Sequence, residues 1–150
     1  SMLRAGVNLG LGTDCFSSTM WQEWKTAYLL QKIWKLDPRR MPGDLVARMA
    51  VYNNARLASL YFPEAAVGVL LPGAFADLIF VDYQPYTPMT PGNLPWHILF
   101  GFQESMITTT IAAGRVLMKD RQLTTLDEAE IAARARQLSE AAWKRYASMF

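Results

Sequence analysis

Residues 7–19 read VNLGLGTDCFSST, a short apolar run followed by Gly-Thr-Asp and a cluster of small hydroxyl residues. The run Val7–Leu11 predicts a short buried β-strand, and Asp14 follows its carboxyl end. Catalytic groups are common at the carboxyl ends of buried parallel strands in α/β proteins. A buried strand of this kind needs neighbouring strands on both sides. This stretch therefore decides which fold the chain can adopt.

Few side chains could assist Asp14 in chemistry, because the chain has one histidine, His97, and one cysteine, Cys15. Asp14 has an alternative interpretation as a turn or N-cap residue ahead of a helix that begins at Met20. The sequence favours Cys15 as a small buried residue over a metal ligand. His97 is expected to be a hydrogen-bonded structural histidine.

The composition describes one domain with a core and an unusually apolar surface. The chain has 150 residues, of which 51% are hydrophobic and 19% charged, and that charged share is below the usual quarter or so. We therefore expect a homo-oligomer or a partner chain. The net charge of +2 gives no indication of a nucleic-acid partner. The single cysteine excludes an internal disulfide and favours a cytoplasmic location. Residues 65–81 are interrupted by proline, glycine and aspartate, so they predict no membrane span.

The first half of the chain is predicted to be helical after the opening strand. A capping box of Thr19 and Gln22 precedes a helix that starts at Met20 and ends before Pro38. Residues 42–62 predict one or two further helices, with a break at Asn53-Asn54.

The second half predicts strands and a last helix. Two short strands are expected near Gly68 and Gly73, the second over residues 76–82, where Asp77 would bond the preceding turn. Residues 106–120 predict a hairpin with its turn at Ala113-Gly114. A capping box of Thr125 and Glu128 precedes a final helix. Its apolar face is expected to pack on the core and consists of Ile131, Ala135, Leu138, Ala142 and Tyr146.

Several motifs occur in an order that points to a known family. GVNLGLGTD, VGVLLPGAFADLIFVD and TTTIAAGRVLMKDRQL follow one another along the chain, with NLPWHILFG between the last two. The sequence resembles the C-terminal part of amidohydrolase-superfamily enzymes, in the cytosine-deaminase and chlorohydrolase-like branch. It is most similar there to aminohydrolases linked to selenium metabolism.

The resemblance implies an α/β fold, or α+β for this segment in isolation. Residues 1–62 would be the last strand and helices of a (β/α)8 barrel, 63–123 part of a small β-sandwich, and 124–150 a C-terminal helix. Arg121 stands where the family usually has glycine, which predicts a looser or longer turn. Asp14 matches the family's strand-eight aspartate, so the resemblance implies a catalytic role in proton transfer and contact with the metal or its water.

The remaining metal ligands of the family have no match in the chain. The family's His-x-His pair and its later histidines are missing, and His97 matches a position that is not a ligand. A catalytic zinc needs about three protein ligands. We therefore expect a relative of zinc- or iron-dependent hydrolases of C–N or C–Cl bonds in small heterocycles, inactive alone and without a tightly bound metal.

Three roles remain open for the chain at this stage. The first is a segment that docks with a complementing N-terminal chain carrying the histidines. The second is a non-catalytic homo-oligomer, formed by exchange of elements. The third and weakest is a small-molecule binding module around Asp14 and Ser17.

Overall fold

The fold combines a group of helices with a small antiparallel sheet. The computed structural model describes residues 2–15 and 18–150. The helices are α1 (Met20–Lys35), α2 (Gly43–Ala47), α3 (Asn54–Ala58), α4 (Leu94–Gly101) and α5 (Glu128–Ala147), with a π-helical segment at Arg48–Asn53 and a 3₁₀ turn at Glu104–Met106. The strands are β1 (Leu78–Val81), β2 (Ile107–Ala112), β3 (Arg115–Lys119) and β4 (Gln122–Leu123).

Helix α1 confirms the predicted helix at Met20 but not its predicted start signal. Thr19 is the N-cap residue, yet its side chain makes no capping hydrogen bond. The helix ends at Lys35; its C-cap, Leu36, adopts a left-handed conformation with φ 47°, and Pro38 lies two residues further on. Lys32 and Lys35 lie in the last turn, where positive charge complements the helix dipole.

The core lies where α1, α2 and α4 meet. Trp24, Val46, Ala47 and Leu99 form one buried cluster, and Val46 and Leu99 are fully excluded from solvent. Gly43 allows the close approach of α2 and α4, because a Cβ there would lie 2.9 Å from Cδ1 of Leu99.

The sheet has the order β1-β2-β3-β4, and all its pairs are antiparallel. The predicted hairpin is confirmed, because Ala113 and Gly114 link β2 to β3 with φ 48° and 75°. Positive φ at both central residues is typical of the tight type I′ turn. The Asp77 carboxylate accepts a hydrogen bond from the Ala113 amide at 2.6 Å. Asp77 therefore holds the turn across the sheet, and the prediction that it bonds its own preceding turn was wrong.

The turn from β3 to β4 corrects another expectation. Asp120 and Arg121 form a two-residue connection with φ 50° and 63°, so the turn is neither longer nor looser. The Arg121 guanidinium donates to the Ser105 carbonyl at 2.9 Å and lies 3.5 Å from the Asp82 carboxylate. These contacts hold the turn although a non-glycine residue occupies the left-handed region.

Two predicted strands are not formed. Residues 7–13 have no regular secondary structure, so the predicted strand Val7–Leu11 was wrong. No neighbouring strand lies beside this segment within the described part of the chain, and a strand needs one. The first of the two strands expected before residue 82 is likewise irregular, and the second is shorter than predicted, over Leu78–Val81.

The final helix is present but does not pack on the core. Its N-cap is Asp127, which accepts from the Glu130 amide at 2.9 Å, so the predicted capping box at Thr125 and Glu128 was wrong. Aspartate is preferred over threonine as an N-cap residue. Residues 128–147 are all exposed, including Leu138 at 63% and Trp143 at 68%. The expected packing of this apolar face on the core was therefore also wrong.

Candidate active-site loop around Asp14

Residues 8–11 are held by side chains of the helical segment, not by strands. Nδ2 of Asn54 donates to the Leu11 carbonyl at 2.8 Å, and its Oδ1 accepts from the Leu11 amide at 3.1 Å. Nδ2 of Asn53 donates to the Leu9 carbonyl at 2.7 Å. Nδ2 of Asn8 donates in return to the Asn53 carbonyl at 3.4 Å. The predicted helix break at Asn53-Asn54 was wrong, since the helical path continues through both residues.

Asp14 lies three residues beyond this anchored stretch, in a turn. Asp14 and Cys15 both have positive φ, at 47° and 61°, and both are exposed. Within the described part of the chain, the Asp14 carboxylate makes no hydrogen bond or ion pair. The carboxylate is therefore open to solvent or to a partner. Cys15 is an exposed thiol, so the prediction of a buried cysteine was wrong. Ser17 lies outside the described residues.

The residues present do not fit a metal site by themselves. Among residues 2–15 and 18–150 there is no group of three or more His, Cys, Asp or Glu side chains that could hold an ion. A catalytic zinc needs about three protein ligands and an open position. Asp14 could supply one ligand, and Cys15 lies beside it in sequence.

His97 lies in α4 and is part of an aromatic cluster with Tyr83 and Phe102. Its Nδ1 lies 2.8 Å from the Tyr83 hydroxyl, and the two rings pack edge to face at 5.7 Å. Tyr83 also packs on Phe102 at 4.8 Å. The prediction of a hydrogen-bonded structural histidine is confirmed. Tyr83 and His97 line an open groove of about 770 Å³, together with Trp96 and Asn93.

Asn53 and Asn54 are the residues that sequence reasoning missed. Two adjacent asparagines inside an otherwise helical stretch usually indicate a local break. No signal within a single sequence connects residue 54 to residue 11, because the link is a long-range hydrogen bond. The pairing is visible only after folding.

The comparison with known families identifies the class. The profile of the amidohydrolase family matches residues 1–117. The chain therefore belongs to the amidohydrolase family, as its motifs predicted.

Curated relatives and solved structures agree with this assignment. The chain is 37% identical over 145 residues to 5-methylthioadenosine/S-adenosylhomocysteine deaminase 1 of Syntrophus aciditrophicus, an alignment that covers 93% of this chain and 32% of the relative. It is 28% identical to a zinc-bound adenosine deaminase from Xanthomonas campestris, with a TM-score of 0.73 over 93% of this chain and 32% of that one. A zinc complex of atrazine chlorohydrolase from Arthrobacter aurescens TC1 shares the fold, with 21% identity and a TM-score of 0.65 over 91% of this chain and 30% of that chain.

These similarities concern only part of each relative. The chain spans about a third of the relatives' length, at 32% for both deaminases. No helix among the described residues is long and apolar enough to span a bilayer.

Proposed function

We propose that this chain supplies the Asp14 carboxylate to a metal-dependent hydrolase that deaminates adenine nucleosides, and that it is inactive until residues outside it provide the histidine ligands. The reaction class is hydrolysis of a C–N bond: water adds to the ring carbon that bears the amino group, and ammonia leaves. A carboxylate in this reaction takes the proton of the attacking water and returns it to the leaving nitrogen.

The observation that carries the proposal is that the Asp14 carboxylate is exposed and unpaired among the described residues. The backbone before it is held by Asn54. An unengaged carboxylate close to an anchored stretch of backbone suits a group that meets its substrate or metal later. The choice of adenine nucleosides rests on the relatives named as adenosine or methylthioadenosine deaminases.

The exposed apolar side chains of the chain support the proposal that a complementing segment covers them. Within residues 2–15 and 18–150, the buried apolar side chains are Trp24, Val46, Ala47, Met49 and Leu99. Large apolar groups elsewhere on the helices are open to solvent, such as Ile33 at 67% and Trp34 at 75% on α1. Exposed apolar area of this kind is typical of a surface that another element covers.

A chimera tests the proposal directly. The 145-residue matched segment of the Syntrophus aciditrophicus deaminase would be replaced by the corresponding part of this chain, and adenosine and methylthioadenosine deamination measured with zinc. We expect activity in the chimera and its loss in Asp14→Ala. Asp44→Asn is the matched control, because Asp44 is an exposed carboxylate in the first turn of α2. A folded chimera that lacks activity, or one that keeps it in Asp14→Ala, would contradict the proposal.

The chain alone is the second arm of this test. We expect no turnover of aminopurines, pyrimidines or triazines by the isolated chain with zinc or iron. Metal-dependent turnover that disappears in Asp14→Ala would show that the chain is active alone.

A non-catalytic homo-oligomer is the second candidate function. Its support is α5, where Leu138, Trp143 and Tyr146 are 63%, 68% and 55% exposed. We expect light scattering at low micromolar concentration to give a mass above one chain, and Trp143→Ser with Leu138→Ser to lower it. A monomer at that concentration would exclude the oligomer.

A further inference from the structure

We propose that Asn53 and Asn54 are positioning residues, which hold residues 9–11, and through them Asp14, in place before any partner segment is present. The relevance of this to catalysis rests on the proposed function, in which Asp14 is the proton-transfer group. The hydrogen bonds themselves do not depend on that function.

Asn54 replaces a neighbouring strand at Leu11. Its amide donates to the Leu11 carbonyl at 2.8 Å and accepts from the Leu11 amide at 3.1 Å. A side-chain amide offers the same donor and acceptor pair as a backbone peptide group. One residue therefore satisfies both backbone groups that a sheet neighbour would otherwise pair.

Asn53 extends the contact to a second residue of the same segment. It donates to the Leu9 carbonyl at 2.7 Å, two residues before Leu11. The two asparagines therefore bond the carbonyl groups of two alternate residues, Leu9 and Leu11. Both contacts stop the segment from sliding along the helix.

The π-helical segment ends at the first of the two asparagines. It covers Arg48–Asn53, and α3 begins at Asn54. A π-helical turn inserts an extra residue into the helical repeat and rotates the next turn of the helix about its axis, and such turns are frequent at functional sites. The change from π to α geometry falls between the two asparagines that hold residues 9–11.

Local packing leaves little room for another register. A Cβ at Gly10 would overlap the Oδ1 atom of Asn54, so only glycine allows the contact. Leu11 also packs against the buried cluster of Trp24, Val46, Ala47 and Leu99. Asp14 follows Leu11 by three residues. The contacts that Leu11 makes with the core and with Asn54 therefore limit the positions that the Asp14 backbone can take.

The test is NMR on the isolated chain, which requires neither substrate nor metal. We would measure the exchange rate of the Leu11 amide, together with the amide and carboxyl signals of Asp14. Asn54→Ala is expected to speed Leu11 exchange by roughly tenfold and to shift the Asp14 signals. Asn54→Asp keeps the acceptor for the Leu11 amide and loses the donor, so it should preserve most of that protection and shift Asp14 less. Gly10→Ala displaces Asn54 without changing it and should reproduce the effect of Asn54→Ala.

Asn93→Ala is the matched control. Asn93 also makes two side-chain hydrogen bonds to backbone, from the Thr90 amide at 2.7 Å and to the Pro88 carbonyl at 2.9 Å, ahead of α4. We expect it to lower stability to a similar extent and leave Leu11 exchange and the Asp14 signals unchanged. A merely structural asparagine at position 54 would likewise leave the Asp14 signals unchanged.

Two outcomes would overturn the proposal. Unchanged Leu11 exchange in Asn54→Ala would show that the hydrogen bonds do not hold the segment. Faster Leu11 exchange with unmoved Asp14 signals would show that the segment is held but Asp14 is not positioned by it. If Asn54→Ala fails to fold, the same readings on Gly10→Ala decide, because its added Cβ displaces the Asn54 side chain. Since activity is not measured, a failure of the proposed function would leave this result unaffected.

Discussion

The Tyr83 hydroxyl lies 2.8 Å from Nδ1 of His97, so the single histidine of the chain joins the segment after β1 to helix α4. The two rings pack edge to face. Gly101 makes room for this arrangement, because a Cβ there would lie within 2.8 Å of two Tyr83 ring carbons. His97 is thus a structural link between the sheet and the helices.

Loss of this link should destabilise the chain modestly. Tyr83→Phe removes the hydroxyl and keeps the ring, and we expect it to lower the free energy of unfolding by about 1 kcal/mol, the usual net value of one hydrogen bond. Urea unfolding measures the change. Tyr86→Phe is the control, because Tyr86 is fully exposed, and its unfolding midpoint should stay at the wild-type value. Equal midpoints for both variants would show that the Tyr83–His97 bond contributes nothing.

The core should respond strongly to a cavity at Leu99. This side chain is fully buried among Trp24, Val46 and Ala47. Leu99→Ala is expected to lower the free energy of unfolding by about 3 kcal/mol, from lost burial and from the cavity that remains. Leu70→Ala is the matched control, since Leu70 is 82% exposed, and it should change stability by less than about 0.5 kcal/mol. A small effect at Leu99 would mean that the three helices do not pack as one unit.

Local features of the fold could be predicted from the sequence, because local residues determine them. The start of α1 at Met20 and the hairpin turn at Ala113-Gly114 follow from helical periodicity and from turn chemistry. The family assignment and the structural role of His97 were also accessible from motifs and residue chemistry.

Features that depend on distant partners could not be predicted. Val7–Leu11 has the pattern of a buried strand, but the described residues offer side chains of Asn53 and Asn54 in place of a strand. The apolar face of α5 has the pattern of a core helix, and periodicity cannot say which surface it meets. The exposure of Asp14 could not be predicted either, because it depends on which distant groups approach the carboxylate in space.

The β3–β4 turn offers a test of backbone strain against side-chain contacts. Arg121 has φ 63°, a conformation that costs a non-glycine residue about 1–2 kcal/mol. Arg121→Ala keeps the strain and loses the bond to the Ser105 carbonyl, so we expect a loss of about 1 kcal/mol. Arg121→Gly loses the same bond but relieves the strain, and it should unfold close to wild type. Thermal unfolding of both variants gives the comparison. A glycine variant as unstable as the alanine variant would show that the turn is not strained.

The Asp37 carboxylate, after α1, should titrate at unusually low pH. The side chain of Arg39 hydrogen-bonds it at 3.0 Å, and the Arg39 amide also donates to it at 3.0 Å. These bonds, with the charges of Arg39 and Arg40, lower the pKa of Asp37 from 3.8 to about 2. A pKa that is depressed in the folded state adds stability above the unfolded value, and that stability is lost as the pH falls from 3.8 through about 2.

Carboxyl NMR titration measures this pKa directly. Arg39→Ala should raise the pKa of Asp37, although not fully to 3.8, because the backbone amide of residue 39 and the charge of Arg40 remain. The urea midpoint of the variant should consequently fall less steeply than that of wild type over the same pH interval. Arg115→Ala removes a positive charge from β3 instead and should leave the Asp37 titration unchanged. An Asp37 pKa near 3.8 in the unmodified chain would exclude the Arg39 contact in solution.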